Sequence, residues 1–374
     1  MIVSALKEFN SNEKRVALTP MSASMLIKEG IRVIIQKDAG VLSNFSDEDY
    51  KKVGAEVEDD IKNILKETDV ILLVSSIPTD EHIKYVKENS IIIGAFNPYE
   101  NSSELKKLLI KNINVISLDF LPRISRAQSM DVLSSQANLA GYKAVIEASN
   151  LFKKVMPMMM TAAGTIIPAK CLVLGAGVAG LQAIATAKRL GCIVSAFDVR
   201  PEVEEQVKSL GAKFIKVDTE ESNKTSKSGY ATEMSASYKV QQQNKIDLVA
   251  ADMDIIIATA LIPGKKAPVL ITKETLSKMK TGSVIIDLAG IGGGNTEGAI
   301  LEKKILIEEV LVYAPENLPS SISYDASLLY SKNIVSFILC FISDKKLDID
   351  KDDELLNESL IIKNGKKTNK FFEK

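Results

Sequence analysis

The chain has 374 residues, 46% hydrophobic and 25% charged, with 47 basic side chains against 48 acidic ones and a formal charge of -1. That length allows two domains, each with a large buried core, and the balanced charge gives no electrostatic reason to expect nucleic acid or an anionic membrane surface as partner. One histidine, His82, excludes a His-based metal cluster, and three cysteines, Cys171, Cys192 and Cys340, odd in number and set among apolar neighbours, read as free thiols in a reducing compartment rather than a disulfide framework or a metal site.

In chain order, "MIVSALKEFN" starts as a strand and lacks the basic flank and apolar core of an export signal. In "LTPMSASMLIKEG", Thr19 is placed to cap a helix, Pro20 fits its first position and Gly30 its exit. Apolar β-branched runs follow: "RVIIQ", "VILLVSS", "SIIIGAF" and "NVISLDF", then "CLVLG", "CIVSAFD", "DIIIATA" and "SVIIDLA". Strands this apolar on both faces, separated by helical segments of crossover length, predict parallel sheets covered by helices, an α/β fold. His82, in the polar pattern "TDEHIKYV", reads as a surface residue.

Between the two sets of strands, "RISRAQSMD" (123–131) crowds two arginines, a glutamine and an aspartate at an element boundary, which makes it either a solvated corner or a prepared binding surface. The stretch after it carries Ala137, Ala140, Gly141, Ala144 and Ala148 at three- and four-residue steps, a helix face that lets another backbone approach closely. It is read as a long helix joining two domains, with an ordinary packed helix inside one domain equally compatible with the pattern. Two stretches look less compact. The polar run from Asp218 has few large aliphatics before Ile246 and should be mobile, and the charged tail from Asp344 is most simply solvated, although "ESLIIKNG" can form a last hairpin. The longest uncharged apolar run, 333–343, is about half of the ~20 residues a membrane-spanning helix needs, so the chain is expected to be soluble with no span of its own.

The strongest local signal is "KCLVLGAGVAGLQAIATAKRLGCIVSAFDVR", in which a strand runs into Gly175, Ala176, Gly177, Val178, Ala179 and Gly180, a helix and second strand follow, and Asp198 closes the unit. Gly175 permits a tight turn, Gly177 admits a pyrophosphate to the backbone, and Gly180 lets helix and strand pack closely, while the helix N-terminus offers N–H groups to phosphate. Asp198 should accept hydrogen bonds from the adenosine ribose and repel a 2′-phosphate, which predicts NAD(H); Arg200, two residues on, weakens that preference without reversing it.

"RVALTP" (15–20), "RISRAQSMDVLSSQANLAGY" (123–142), the dinucleotide segment, "DVRPEVEEQVKSLGAKF", "GYATEM", "ATALIPGKKAPVLIT" and "GSVIIDLA" together resemble, over nearly the whole chain, the NAD(H)-binding domain I of proton-translocating nicotinamide nucleotide transhydrogenase, in the version where it is a separate soluble alpha subunit. Alanine dehydrogenase is the related family. The resemblance implies two Rossmann-like doubly wound parallel-sheet domains joined by a long helix: 1–125 with 315–374, a connecting segment at 126–154, and an NAD(H)-binding domain at 155–314. It implies that Arg123, Gln128, Asp131 and Ser134 hold the nicotinamide end, with Asp131 a carboxylate for Arg123 and Gln128 suited to the carboxamide. It also places Val199, Ala260 and Leu261 at the cofactor and makes Tyr230 the tyrosine of a loop that closes over nucleotide. No metal is expected. The implied partners are an NADP(H)-binding subunit, membrane proton-channel subunits and a second copy of the chain, which would sit peripherally on the inner side of the cytoplasmic membrane. The chain departs from the family after "DLA", where "GIGGGN" puts Gly290 and Ile291 in place of an alanine or valine and an acid. In alanine dehydrogenases that acid, a histidine and a lysine serve the substrate; here "VSSIP" has no lysine and "GAFNPYENS" no histidine, although Arg15 could hold a carboxylate. A free-standing amino-acid dehydrogenase and a non-catalytic NAD-binding module are the competing readings.

Overall fold

The computed structural model describes residues 1–110, 112–217, 235–262 and 264–369. Contacts divide the chain into two compact units, Met1–Gln136 with Pro319–Lys374, and Ala137–Leu318.

In the first unit, β1 (Ile2–Ala5), β2 (Arg32–Gln36), β3 (Glu56–Glu58), β4 (Val70–Leu72), β5 (Ile91–Gly94) and β6 (Asn114–Ser117) form a parallel sheet in the order β6-β5-β4-β1-β2-β3. Alternation decides which core each side chain enters: Val70 and Leu72 of β4 face one apolar cluster, and Ile71 between them faces another. Each such fully buried side chain stabilises by roughly 2 kcal/mol relative to exposure, and the central strands β4 and β5 carry no polar side chain.

The helix α1 (Pro20–Lys28) starts with proline at its first turn, and Thr19 is extended before it, but the Thr19 side chain makes no capping bond. Thr19 is buried, and its hydroxyl lies 3.4 Å from those of Ser22 and Ser331 while its amide donates to Ser331 Oγ at 2.9 Å. Docking onto the helix Ser323–Phe341 therefore outcompetes the local cap. The tail is not simply solvated either. Leu355, Leu356, Ile361 and Ile362 are buried, and Leu360–Lys363 pairs antiparallel with β6 before turning into Lys366–Lys367. His82 is half-buried, 2.7 Å from Thr79 Oγ1 and packed against the Phe9 ring, because its short helix lies over that aromatic side chain.

The sheet order reverses between β1 and β4, and the segments leaving those two strands meet there. The Glu8 carboxyl group accepts from the amides of Val74, Ser75 and Ser76 at 2.6, 3.1 and 2.8 Å.

The second unit holds β7 (Lys170–Leu174), β8 (Ile193–Phe197), β9 (Lys213–Ile215), β10 (Ile255–Ala258), β11 (Val284–Asp287), β12 (Lys304–Ile307) and β13 (Val310–Tyr313), in the order β9-β8-β7-β10-β11-β13-β12. All pair in parallel except β12, which turns back on β13. The helix α2 (Val132–Leu151) crosses the division between the units at Gln136 and Ala137. Its small-residue face is used within the second unit: a Cβ on Gly141 would lie 2.0 Å from the carbonyl oxygen of Ala179, in the first turn of α3 (Val178–Arg189), and Ala144 and Ala148 are fully buried. Gly141, Ala144 and Ala148 are thus packed within the chain, while Ala137 and Ala140 of the same face are half-buried. Gly141→Ala gains about 1 kcal/mol of helix propensity but overpacks a backbone carbonyl at a cost of about 3 kcal/mol. Its unfolding free energy, read by denaturant titration, should fall by about 2 kcal/mol.

The polar run expected to be mobile includes an ordered helix, α4 (Ala236–Ala250), capped by Ser235 Oγ accepting from the Tyr238 amide. Tyr238, Gln242, Ile246 and Ala250 recur at four-residue steps and are all buried, so one narrow stripe suffices to dock it. Before β7, the short hairpin Met159–Thr161 with Gly164–Ile166 is exposed throughout, Met160 at 76% and neighbouring Ile167 at 77%.

Candidate nucleotide-binding site

The second sheet reverses order between β7 and β10, and ligands of open α/β sheets bind outside the carboxyl ends of strands at such a point. At the end of β7, Gly175 adopts φ +94°, a left-handed conformation that a side chain disfavours, while its amide donates to Phe197 O at 2.8 Å. Gly177 precedes α3 in extended conformation. A Cβ there would meet, among the described residues within 4 Å, only Arg200 Nη2 at 3.9 Å, so the glycine leaves a cradle open above the helix N-terminus. At Gly180 a Cβ would lie 1.8 Å from Gly175 O, which fixes the helix hard against the turn. The first-turn amides of α3 lack intrahelical acceptors and carry partial positive charge. A pyrophosphate fits this cradle.

Thr259, which the sequence pattern does not single out, pins the turn from the other side. Its amide donates to Leu174 O at 2.7 Å and its hydroxyl to Gly175 O at 3.0 Å. Ala260 and Leu261 follow at the end of β10, with the Ala260 amide 3.2 Å from the Cβ position of Gly175.

Asp198 follows β8, buried beside the turn. One carboxylate oxygen accepts from the Arg200 amide and Nε at 2.9 and 3.0 Å, the other from Arg200 Nη2 at 2.9 Å and the Ala176 amide at 2.7 Å. The Arg200 guanidinium is held above its ordinary pKa by that hydrogen bond to Asp198. Both oxygens are thus engaged, and ribose hydroxyls would have to share them with Arg200 or displace it. Val199 packs partly buried against the core beneath.

In the first unit, "RISRAQSMD" forms a short 3-10 helix, Ser125–Met130, anchored by the buried Ala127 and Met130. Asn333 Nδ2 donates to Ser129 O at 2.8 Å, and Arg126 pairs with Asp353. The Arg126 hydrogen bond holds the Asp353 carboxyl below its usual range. Arg123 and Gln128 are exposed. Asp131 is not directed to Arg123 as the sequence suggested: its carboxylate accepts from the Ser134 amide at 2.8 Å and the Ser134 hydroxyl at 2.5 Å. The reason is local, since Asp131 directly precedes α2 and Ser134 is its third residue, the donor an N-capping side chain reaches. Tyr230 lies outside the described residues.

A separate cavity of about 170 Å³ in the first unit is lined by Arg15, Ser75, Asp119, Gln136 and Tyr330 among others. Three of the five N–H donors of Arg15 are engaged there: Nε and Nη2 donate to Glu13 at 2.8 and 2.6 Å and Nη1 to Gln136 Oε1 at 2.8 Å.

A doubly wound sheet with a glycine cradle, a pinned turn and a largely buried acid at the second strand's end defines the class, a dinucleotide-binding protein of Rossmann type. Residues 4–140 match the model of the alanine dehydrogenase/PNT N-terminal domain, and residues 144–370 that of its C-terminal domain. The first of the chains that make up the NAD(P) transhydrogenase alpha subunit of Rickettsia prowazekii is 45% identical over 372 residues, covering 99% of this chain and 96% of that one. The crystal structure of transhydrogenase from Sinorhizobium meliloti superposes with a TM-score of 0.86 at 40% identity, over 99% of each chain. An alanine dehydrogenase of Staphylococcus saprophyticus is 27% identical, covering 99% of this chain and 95% of that one. The chain belongs to the alanine dehydrogenase/PNT family, on its transhydrogenase alpha-subunit branch. Among the described residues no helix is long and apolar enough to cross a membrane.

Proposed function

We propose that the chain is the NAD(H)-binding subunit of a proton-translocating transhydrogenase, presenting NADH for direct hydride transfer to NADP+ held by a partner subunit, with membrane subunits coupling the transfer to proton movement. The observation that carries this reading is the open cradle at Gly177 with the buried Asp198 beside it, a combination that seats a pyrophosphate and opposes a 2′-phosphate. When bound, the reduced nicotinamide supplies the hydride, so this chain's residues have only to position it. In this reading Gly175, Ala176, Gly177, Val178, Ala179 and Gly180 hold the pyrophosphate. Asp198, Val199 and Arg200 address the adenosine ribose, and Ala260, Leu261 and Tyr230 complete the nucleotide contacts. Gln128 offers its amide to the carboxamide, and Asp131, by holding Ser134, keeps the start of α2 and that hydroxyl in one geometry.

The alternative, a free-standing alanine-type dehydrogenase, needs a residue to grip the substrate carboxylate. The engagement of Arg15 by Glu13 and Gln136 speaks against it for that role. For a second copy of the chain, the support comes from the exposed hairpin Met159–Thr161 with Gly164–Ile166. An isolated two-stranded hairpin is marginal in water, and one bearing Met158, Met160 and Ile167 at the surface is suited to burial against an identical subunit. Attachment to the membrane would come through the partner subunits.

Mixed with membranes carrying the NADP(H)-binding partner, the protein should support NADH-dependent reduction of NADP+ and leave alanine and pyruvate unchanged when alone. Turnover of alanine without a partner would overturn the reading. In the same assay, Gln128→Ala should reduce hydride transfer by roughly a hundredfold while NADH affinity changes several-fold less; equal losses would reduce Gln128 to a binding residue.

A further inference from the structure

The glycine run after β11 has a place in the fold that gives it a use. Gly293 and Gly294 have φ of +98° and +82°, a left-handed pair that turns the chain back so that Asn295 enters the interior, fully buried. Asp287, at the end of β11, fixes that reversal: its carboxyl group accepts from the amides of Ala289, Asn295 and Thr296 at 3.0, 2.7 and 2.8 Å. The Asn295 side chain then closes on the loop after β10. Its Oδ1 accepts from the Ala260 amide at 2.9 Å, and its Nδ2 donates to Ala260 O and Pro268 O, both at 2.8 Å. Both polar groups of the Ala260 backbone are therefore held by one side chain. Ala260 itself lies against the Gly175 turn, and Leu261, 49% exposed, rests on Gly292, where a Cβ would stand 3.0 Å from Leu261 Cδ1.

We infer that Asn295 is a positioning residue of the nucleotide site, and that Gly292 is kept free of a side chain so that Leu261 lies back from the glycine turn and presents an apolar face to the nucleotide. The inference rests on the reading of the second unit as the NAD(H) site. An asparagine suits the task because it supplies one acceptor and two donors in a plane. Serine at 295 keeps one hydroxyl and loses the paired grip. Alanine at 292 acts differently: the nearest atom is the far end of a flexible side chain, so Leu261 moves and the fold is spared.

The test is an NADH fluorescence titration of Asn295→Ser, Gly292→Ala and Gly177→Val, with thermal unfolding of each ligand-free protein. The expected result is an NADH Kd raised about tenfold in Asn295→Ser and roughly threefold in Gly292→Ala, with the midpoint of Gly292→Ala unchanged. In a Leu261→Ala background, Gly292→Ala should have no further effect, because the side chain it displaces is gone. Parental affinity in Gly292→Ala and Asn295→Ser, with binding lost in Gly177→Val, overturns the positioning role and leaves the site where it is. Parental affinity in Gly177→Val overturns both. Should Asn295→Ser fail to fold, the Gly292→Ala result and its dependence on Leu261 decide the matter.

Discussion

Gly180→Ala should abolish measurable NADH binding. The added Cβ would stand 1.8 Å from Gly175 O and 2.8 Å from Gly175 C, both backbone atoms of the turn proposed to receive the pyrophosphate. Nothing flexible lies there to give way, since Thr259 Oγ1 closes the third side at 3.3 Å. Alanine brings about 1 kcal/mol of helix propensity, against an overpacking cost of about 3 kcal/mol or more, so the strain wins. Its release requires Gly175 and the start of α3 to part, and a displacement near 1 Å at a binding turn costs on the order of a hundredfold. The chain has no tryptophan, so NADH emission can be followed with little protein background. An unaltered Kd in a folded Gly180→Ala protein would show that the turn does not receive the nucleotide.

Asp198→Ala should redirect the cofactor preference from NADH toward NADPH. The substitution deprives the Ala176 amide of its acceptor and releases the Arg200 guanidinium, which Asp198 now holds through Nε and Nη2. A partly buried guanidinium that loses this carboxylate can turn to another anion, and a 2′-phosphate supplies one. Losing charge-assisted hydrogen bonds to ribose while gaining them to phosphate should move the ratio of the two affinities by one to two orders of magnitude, roughly. Parallel titrations with NADH and NADPH measure it directly. If the ratio stays put, Asp198 is a brace for the turn and not a reader of the ribose.

Three of the reverse turns among the described residues show what the sequence discloses and what it hides. All join hairpin strands through two residues of positive φ, the geometry that matches strand twist and that Asn-Gly adopts at least cost. The pair Asn364 and Gly365, with φ of 50° and 70°, announces its turn, and the hairpin in "ESLIIKNG" is legible. Glu308 and Glu309, at 48° and 61°, and Asp344 and Lys345, at 48° and 57°, adopt the same geometry without the usual residues, so neither β12 with β13 nor Ile342–Ser343 with Lys346–Leu347 is read in advance. The pairing of the two arms themselves holds those turns. The central parallel strands needed no such context, because β-branched runs buried on both faces leave no other solution.

The site divides along the same line. Gly175, Gly177 and Gly180 are legible because their spacing is the requirement. The bond of Asp131 was not legible, since a capping contact to Ser134 is fixed by where α2 begins. Thr259 and Asn295 act across the fold through hydrogen bonds to backbone, and any polar residue at their positions looks the same until the strands are assembled.

Two sheets of the same winding raise the question of why one chain should not carry two dinucleotides. At the reversal of the first sheet, the amides of Val74, Ser75 and Ser76 converge as a phosphate would want them, yet they already answer to the oxygen pair of Glu8. An incoming phosphate would have to evict a ligand tethered only a few residues beyond β1, at an effective concentration no free nucleotide can match. The berth at the first reversal is therefore kept shut from within.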